Sequence, residues 1–262
     1  MYAGPRCFLS KGLPLKYRVV VQMGDVTSER GCAVVVSANR ALCGSVNTSY
    51  WAFAGRHNVE TVVWKLAGAA LGAELQARKE LREGVRAEDG DCVVTAAHNL
   101  RTHFRHILHT VPPLMAHAES EGGPRSAPLR RTLRSCYSQV LKRAFEVQAL
   151  RVVLPALGCG VAGWSPYSSA QLFLQALGAG AGDVGDGHTD TVDCSSARTE
   201  PVQERELGPM RELWLERERE LELVFCMRET RAYWGWVKAL SATEHFTEQL
   251  QQEQQEQQQQ QQ

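Results

Sequence analysis

None of the eight cysteines, at positions 7, 32, 43, 92, 136, 159, 194 and 226, pairs with another at C-x-x-C spacing. A zinc ribbon and a redox dithiol are therefore not indicated, and scattered single thiols suit a reducing compartment. Net charge is also missing: 29 basic residues balance 29 acidic ones. That argues against a protein held on nucleic acid by bulk electrostatics. No apolar run approaches membrane-spanning length, and the first residues lack the apolar segment of a secretory signal. The expectation is a cytosolic or nuclear protein without a membrane partner. What remains is ordinary for a globular chain, with 262 residues of which 44% are hydrophobic and 22% charged. That length holds one substantial core plus extensions.

The most informative stretch is Leu154–Trp164, L-P-A-L-G-C-G-V-A-G-W. An apolar strand (Arg151–Leu154) runs into a glycine-rich loop, and Ser165-Pro166 then starts a helix. Such a junction leaves several backbone N–H groups close together and pointing outward, a concave set of donors suited to phosphate or diphosphate. A second strand, Tyr17–Met23, ends in Gly24-Asp25-Val26-Thr27, and a third, Ala33–Val36, ends in Ser37-Ala38-Asn39. The former is largely β-branched and apolar and the latter continuously apolar, as in strands covered on two faces. Asp25 and Asn39 thus fall just past strand ends, where open α/β sheets place ligands.

Along the chain, residues 1–16 read as an irregular lead-in broken by Gly4, Pro5, Gly12 and Pro14. Glu60–Glu83 is the longest helical stretch, with Gly84 as its stop. Asp91–Thr95 and His106–Val111 read as strands, Leu129–Ala149 as a helix, and Pro166–Leu177 as another. Residues 178–208 are expected to be an insertion, its first part rich in Gly, Asp, Thr and Ser and the helical pattern resuming near Pro209. The charge-dense run Arg211–Glu222 fits a solvated helix face. The strand Leu221–Met227 and a terminal helix over Thr230–Leu240 complete one domain at 17–240. Residues 241–262 form a tail that is almost all Gln from Gln251 onward. Alternating strands and helices predict an α/β fold.

These pieces, in this order, resemble the macro domain family, which binds ADP-ribose. Gly24-Asp25-Val26-Thr27 is similar to the family's G-D-I-T, and Ala33–Asn39 to its A-I-V-N-A-A-N, with Ser37 in place of the first Asn. Gly90–Leu100 and Ile107–Val111 resemble two further segments, and Leu154–Trp164 resembles F-P-A-I-S-T-G-I-Y-G-Y. The resemblance implies a three-layer α/β/α sandwich with a mixed central sheet and a cleft for one ADP-ribose, with no cofactor and no metal. It implies that Asp25 and the Val26 backbone hold the adenine and that Asn39 orients the distal ribose. Gly158, Cys159, Gly160, Val161 and Ala162 would wrap the diphosphate through their main-chain amides.

The first phosphate loop departs from the pattern. The family follows its Asn with a glycine run and V-D-G-A-I-H-x-A-A-G; here Val46–Gly55 and Val59–Gly68 both resemble that segment. Leu71 and Glu74 continue the pattern after the second, which puts Gly55 at the phosphate loop and Val59 at the helix start. The first is better spaced from Asn39, so both registers stand. The choice bears on catalysis. Under the second, Glu60 takes the acidic position that in hydrolase members assists water attack on the ribose, with Asn39 beside it. Under the first that position is Asn47, a neutral amide that positions water but does not act as a base. Hydrolysis of mono-ADP-ribose, a reader without turnover, and an interaction or nucleic-acid module on a degenerate scaffold are the three readings. Ala162 departs as well, since many members carry an aromatic there.

Other residues have plainer readings. His98, His103, His106 and His109 cluster, but His106 and His109 lie three apart in a strand and face opposite sides, which disfavours zinc. Cys159 has no recognisable base nearby and reads as a small loop residue. Trp51, Trp64, Trp234 and Trp236 read as core packing.

Overall fold

A computed structural model describes residues 4–44, 58–115, 126–178 and 219–249. Eight strands form one sheet: β1 (Arg6–Ser10), β2 (Lys16–Met23), β3 (Ala33–Ser37), β4 (Cys92–Ala96), β5 (His106–Thr110), β6 (Arg151–Leu154), β7 (Glu220–Met227) and β8 (Phe246–Gln249). Their spatial order is β4-β5-β3-β6-β7-β2-β1-β8. The inner five, from β5 to β2, are mutually parallel, and the flanking strands are antiparallel, so the sheet is mixed.

The continuous apolar runs arise because both faces are covered. Along β3, Ala33 and Val35 point into one core while Val34 and Val36 point into the other. The first core is roofed by α3 (Ser126–Glu146), α4 (Pro166–Ala176) and α5 (Thr230–Ser241), the second by α1 (Val59–Ala67) and α2 (Ala69–Gln76). Tyr137, Phe173, Phe225 and Trp236 stack at the centre of the first, with Phe225 and Trp236 3.9 Å apart between ring centres. The expected three-layer α/β/α sandwich is the observed architecture.

Several boundaries differ from the sequence reading. Residues 1–16 are not all irregular, because Arg6–Ser10 pairs with β2. The sheet likewise continues past 240, with Phe246–Gln249 pairing on β1. Phe246–Gln249 pairs with a strand distant in sequence, and Arg6–Ser10 is a short strand joined to β2 through the Gly12 and Pro14 breakers, so neither carries a strong local pattern. The helix expected over Glu60–Glu83 is two helices that end at Gln76. Gly68 breaks it, at φ +83° and ψ −176°, a conformation essentially confined to glycine. The long helix starts at Ser126 and ends at Glu146 rather than spanning Leu129–Ala149.

Within the charged run Arg211–Glu222, Glu220 and Glu222 belong to β7 and pair with Arg18 and Arg151. Trp236 is core, but Trp234 is 46% exposed, with the Arg6 guanidinium over its ring. Trp64 is half-buried over Gly44 and Gly72. Trp51, the insertion beyond residue 178, the expected helical start at Pro209 and the Gln-rich end lie outside the described residues.

Candidate functional site

The C-terminal ends of β3, β6, β7 and β2 lie side by side, and the loops that follow β2, β3 and β6 carry Asp25, Asn39 and Gly158–Ala162. Three strand spacings separate β3 from β2, about 14 Å. An elongated ligand laid across that edge meets Asn39 first, the glycine loop next and Asp25 last. This is where open α/β sheets bind ligands.

Asp25 caps the 3-10 turn Val26–Ser28, its Oδ1 accepting from the Thr27 N–H at 2.9 Å and the Thr27 hydroxyl at 2.7 Å. Those two bonds fix the carboxylate and leave Oδ2 without a partner among the described residues. The Gly24 N–H donates to the Met227 carbonyl at 2.9 Å, tying this corner to β7. The Val26 side chain is buried in the second core, so only its backbone can meet a ligand.

Asn39 follows β3, which is anchored by the Ala38 N–H donating to the Thr110 carbonyl at 2.7 Å. Its Oδ1 faces the Cys43 N–H at 3.4 Å and the Cys43 thiol at 3.6 Å, so its amide nitrogen is the atom left to donate. Burial pushes the Cys43 thiol up, and the Glu60 carboxylate adds to that rise. Glu60 therefore lies within electrostatic reach of the Asn39–Cys43 turn. It sits in the first turn of α1, buried, behind an Asn58 cap whose Oδ1 accepts from the Thr61 N–H at 2.7 Å. Val59, half-buried, opens that helix, while Gly55 and the competing stretch Val46–Gly55 lie outside the described residues.

The loop after β6 is held from outside itself. Gly158 has φ +77°, and a Cβ there would lie 2.6 Å from the Trp164 indole. Glycine is thus required both by backbone and by contact. The Trp164 N–H donates to the Gly158 carbonyl and its indole Nε1 to the Pro113 carbonyl at 2.9 Å. The Met115 N–H donates to the Ala162 carbonyl at 2.8 Å. The Ala162 side chain turns inward, and the Val161 side chain is 42% exposed. Among the described residues the N–H groups of Gly158, Gly160, Val161 and Ala162 have no acceptor, whereas the Cys159 N–H, expected to join them, donates to the Ala156 carbonyl at 3.3 Å. Consecutive free amides of this kind form an anion-binding concavity. The Cys159 Sγ lies 3.7 Å from the Leu157 carbonyl, an arrangement that activates no nucleophile.

His106 and His109 do not share a site. His109 is fully buried beside Thr95, Nε2 to Oγ1 3.0 Å, whereas His106 is half-buried. Among the described residues no three His, Cys, Asp or Glu side chains gather as a metal cluster, and no helix is long and apolar enough to cross a membrane.

A macro domain-containing protein of Xanthomonas campestris is 30% identical over 155 residues, 59% of this chain and 75% of that protein. This chain belongs to the macro domain family. The sequence model described as Macro domain matches residues 45–173. A Streptomyces nogalater macro domain-containing protein is 28% identical over 159 residues, 61% of this chain and 76% of its own. Among solved structures, the Oceanobacillus iheyensis macrodomain with ADP superposes at TM-score 0.59 and 18% identity, covering 91% of this chain and 97% of that one. The Trypanosoma brucei macrodomain in complex with ADP-ribose superposes at 0.53 and 18% identity, covering 84% and 68%. At those identities the structures establish the macro domain fold. The supports of the loop, namely Trp164, Pro113, Met115, Tyr137 and Ser169, were not identified from sequence. They come from distant segments, and the indole N–H of Trp164, a residue that usually needs a partner when buried, was the only available hint.

Proposed function

We propose that this macro domain binds ADP-ribose, free or attached to protein, across the ends of β3, β6 and β2. The observation that carries the reading is the row of unpaired amides at Gly160–Ala162, after β6 and so between the strands that carry the Asn39 amide and the free Asp25 carboxylate oxygen. Asp25 accepts from the adenine amino group, the Val26 backbone assists, and Asn39 donates to the distal ribose. The diphosphate sits on the neutral N–H donors of Gly158, Gly160, Val161 and Ala162, a solution that needs no lysine. The relatives solved with ADP and with ADP-ribose support the choice of ligand. Calorimetric titration of the full chain with ADP-ribose tests it. One site per chain, weakened by Asp25→Ala, is expected; no heat at millimolar ligand refutes it.

A second reading, hydrolysis of mono-ADP-ribose from protein, is favoured by the place of Glu60, a buried carboxylate in the first turn of α1. In it Glu60 acts as general base on a water while Asn39 holds the ribose. Wild type that releases ADP-ribose from a modified protein, with Glu60→Gln silent but still binding, supports hydrolysis. Wild type that binds and never releases is a reader. The scattered cysteines, none at C-x-x-C spacing, support a reducing, cytosolic or nuclear address, which fractionation would test.

A further inference from the structure

The peptide groups of Leu157, the residue immediately before the glycine loop, are both engaged by side chains from the helical layer. The Leu157 N–H points to the Tyr137 hydroxyl at 3.2 Å. Tyr137 and Ser169 hydroxyls are 2.6 Å apart, and the Ser169 hydroxyl donates to the Leu157 carbonyl at 2.7 Å. Only one proton arrangement satisfies all three contacts. A carbonyl can only accept, so the Ser169 proton goes to Leu157; Ser169 then accepts from Tyr137, and Tyr137 accepts from the Leu157 N–H. The result is a closed, one-way ring among three residues no more than 1% exposed. In a low-dielectric setting such bonds reinforce one another.

The ring joins α3, through Tyr137, and α4, through Ser169, to the root of the loop that offers its amides to the ligand. The far end of that loop is pinned separately, by the Met115 and Trp164 contacts. We infer that Tyr137 and Ser169 are positioning residues for diphosphate recognition: they hold the Leu157 peptide so that the free amides of Gly158, Gly160, Val161 and Ala162 converge before the ligand arrives. The inference rests on the ADP-ribose reading above. Neither hydroxyl touches ligand. Their effect is confined to the part of the ligand that the loop holds, because Asp25 follows β2 and is fixed by its own Val26–Ser28 turn.

The test is calorimetry of the full chain with adenosine, ADP and ADP-ribose, on wild type, Tyr137→Phe and Ser169→Ala. Loss of one ring bond is expected to weaken ADP and ADP-ribose about tenfold, the equivalent of one hydrogen bond. Adenosine, which never meets the loop, should bind as in wild type. The double variant should be little weaker than either single one, since each opens the same ring. If Tyr137→Phe fails to fold, Ser169→Ala carries the comparison. Wild-type affinity for ADP-ribose in Ser169→Ala, or a parallel loss for adenosine, overturns the inference. If wild type itself binds none of the three, the site reading fails and takes this inference with it.

Discussion

Replacing Gly158 by alanine tests the glycine loop more sharply than deleting any polar side chain. At φ +77° the left-handed backbone costs a residue with a Cβ about 1–2 kcal/mol. The new methyl would lie 2.6 Å from the Trp164 ring, too close to coexist with it. Moving the indole breaks its buried bond to the Pro113 carbonyl, worth about 1 kcal/mol more. Together these predict a loss of roughly 2–3 kcal/mol, a fall in melting temperature of roughly 5–10 °C for a domain of this size. Gly160→Ala is the matched control, because nothing lies within 4 Å of its Cβ and its φ is not positive. Thermal unfolding should show Gly158→Ala well below wild type and Gly160→Ala beside it. Equal melting temperatures for all three would refute the reasoning about how this loop is held.

Three other outcomes are expected. Gly68→Ala should cost about 1–3 kcal/mol in urea unfolding, because φ +83° with ψ −176° is a glycine conformation at the α1–α2 break. His109 is pushed down to about 3, first by burial and then by the Arg78 charge. It stays neutral when folded but gains a proton when unfolded below pH about 6.5, so stability falls as pH drops from there toward 3. The loss at pH 5 is about 2 kcal/mol, and His109→Asn should flatten that slope between pH 7 and 5. Asp25→Ala should weaken adenosine and ADP-ribose alike, by about tenfold in calorimetry, if Oδ2 meets the adenine.

The centre of the sheet was legible because two-sided burial leaves an unbroken apolar run, as in Ala33–Val36. Arg151–Leu154 was bounded correctly, and Ser165-Pro166 marked the start of α4 through a side-chain cap and a proline in the first turn. The β1–β8 margin was not legible: Arg6–Ser10 is short and follows close on Gly4 and Pro5, and Phe246–Gln249 is defined by the β1 backbone, which only the assembled sheet supplies. Gly68 was read as part of a helix since a lone glycine is tolerated there, and its actual conformation depends on how α1 meets α2. The site divided the same way. Asp25, Asn39 and the glycine loop stand at strand ends visible in the sequence, whereas the Tyr137–Ser169 ring joins residues 32 apart that come together only through helix packing.

Amide resonances offer the most direct view of the diphosphate cradle. In a titration of the isotope-labelled chain with ADP-ribose, the N–H signals of Gly160, Val161 and Ala162 should move together and saturate at one equivalent. Signals that stay put while ligand binds elsewhere, or that never respond, would contradict recognition by those backbone donors.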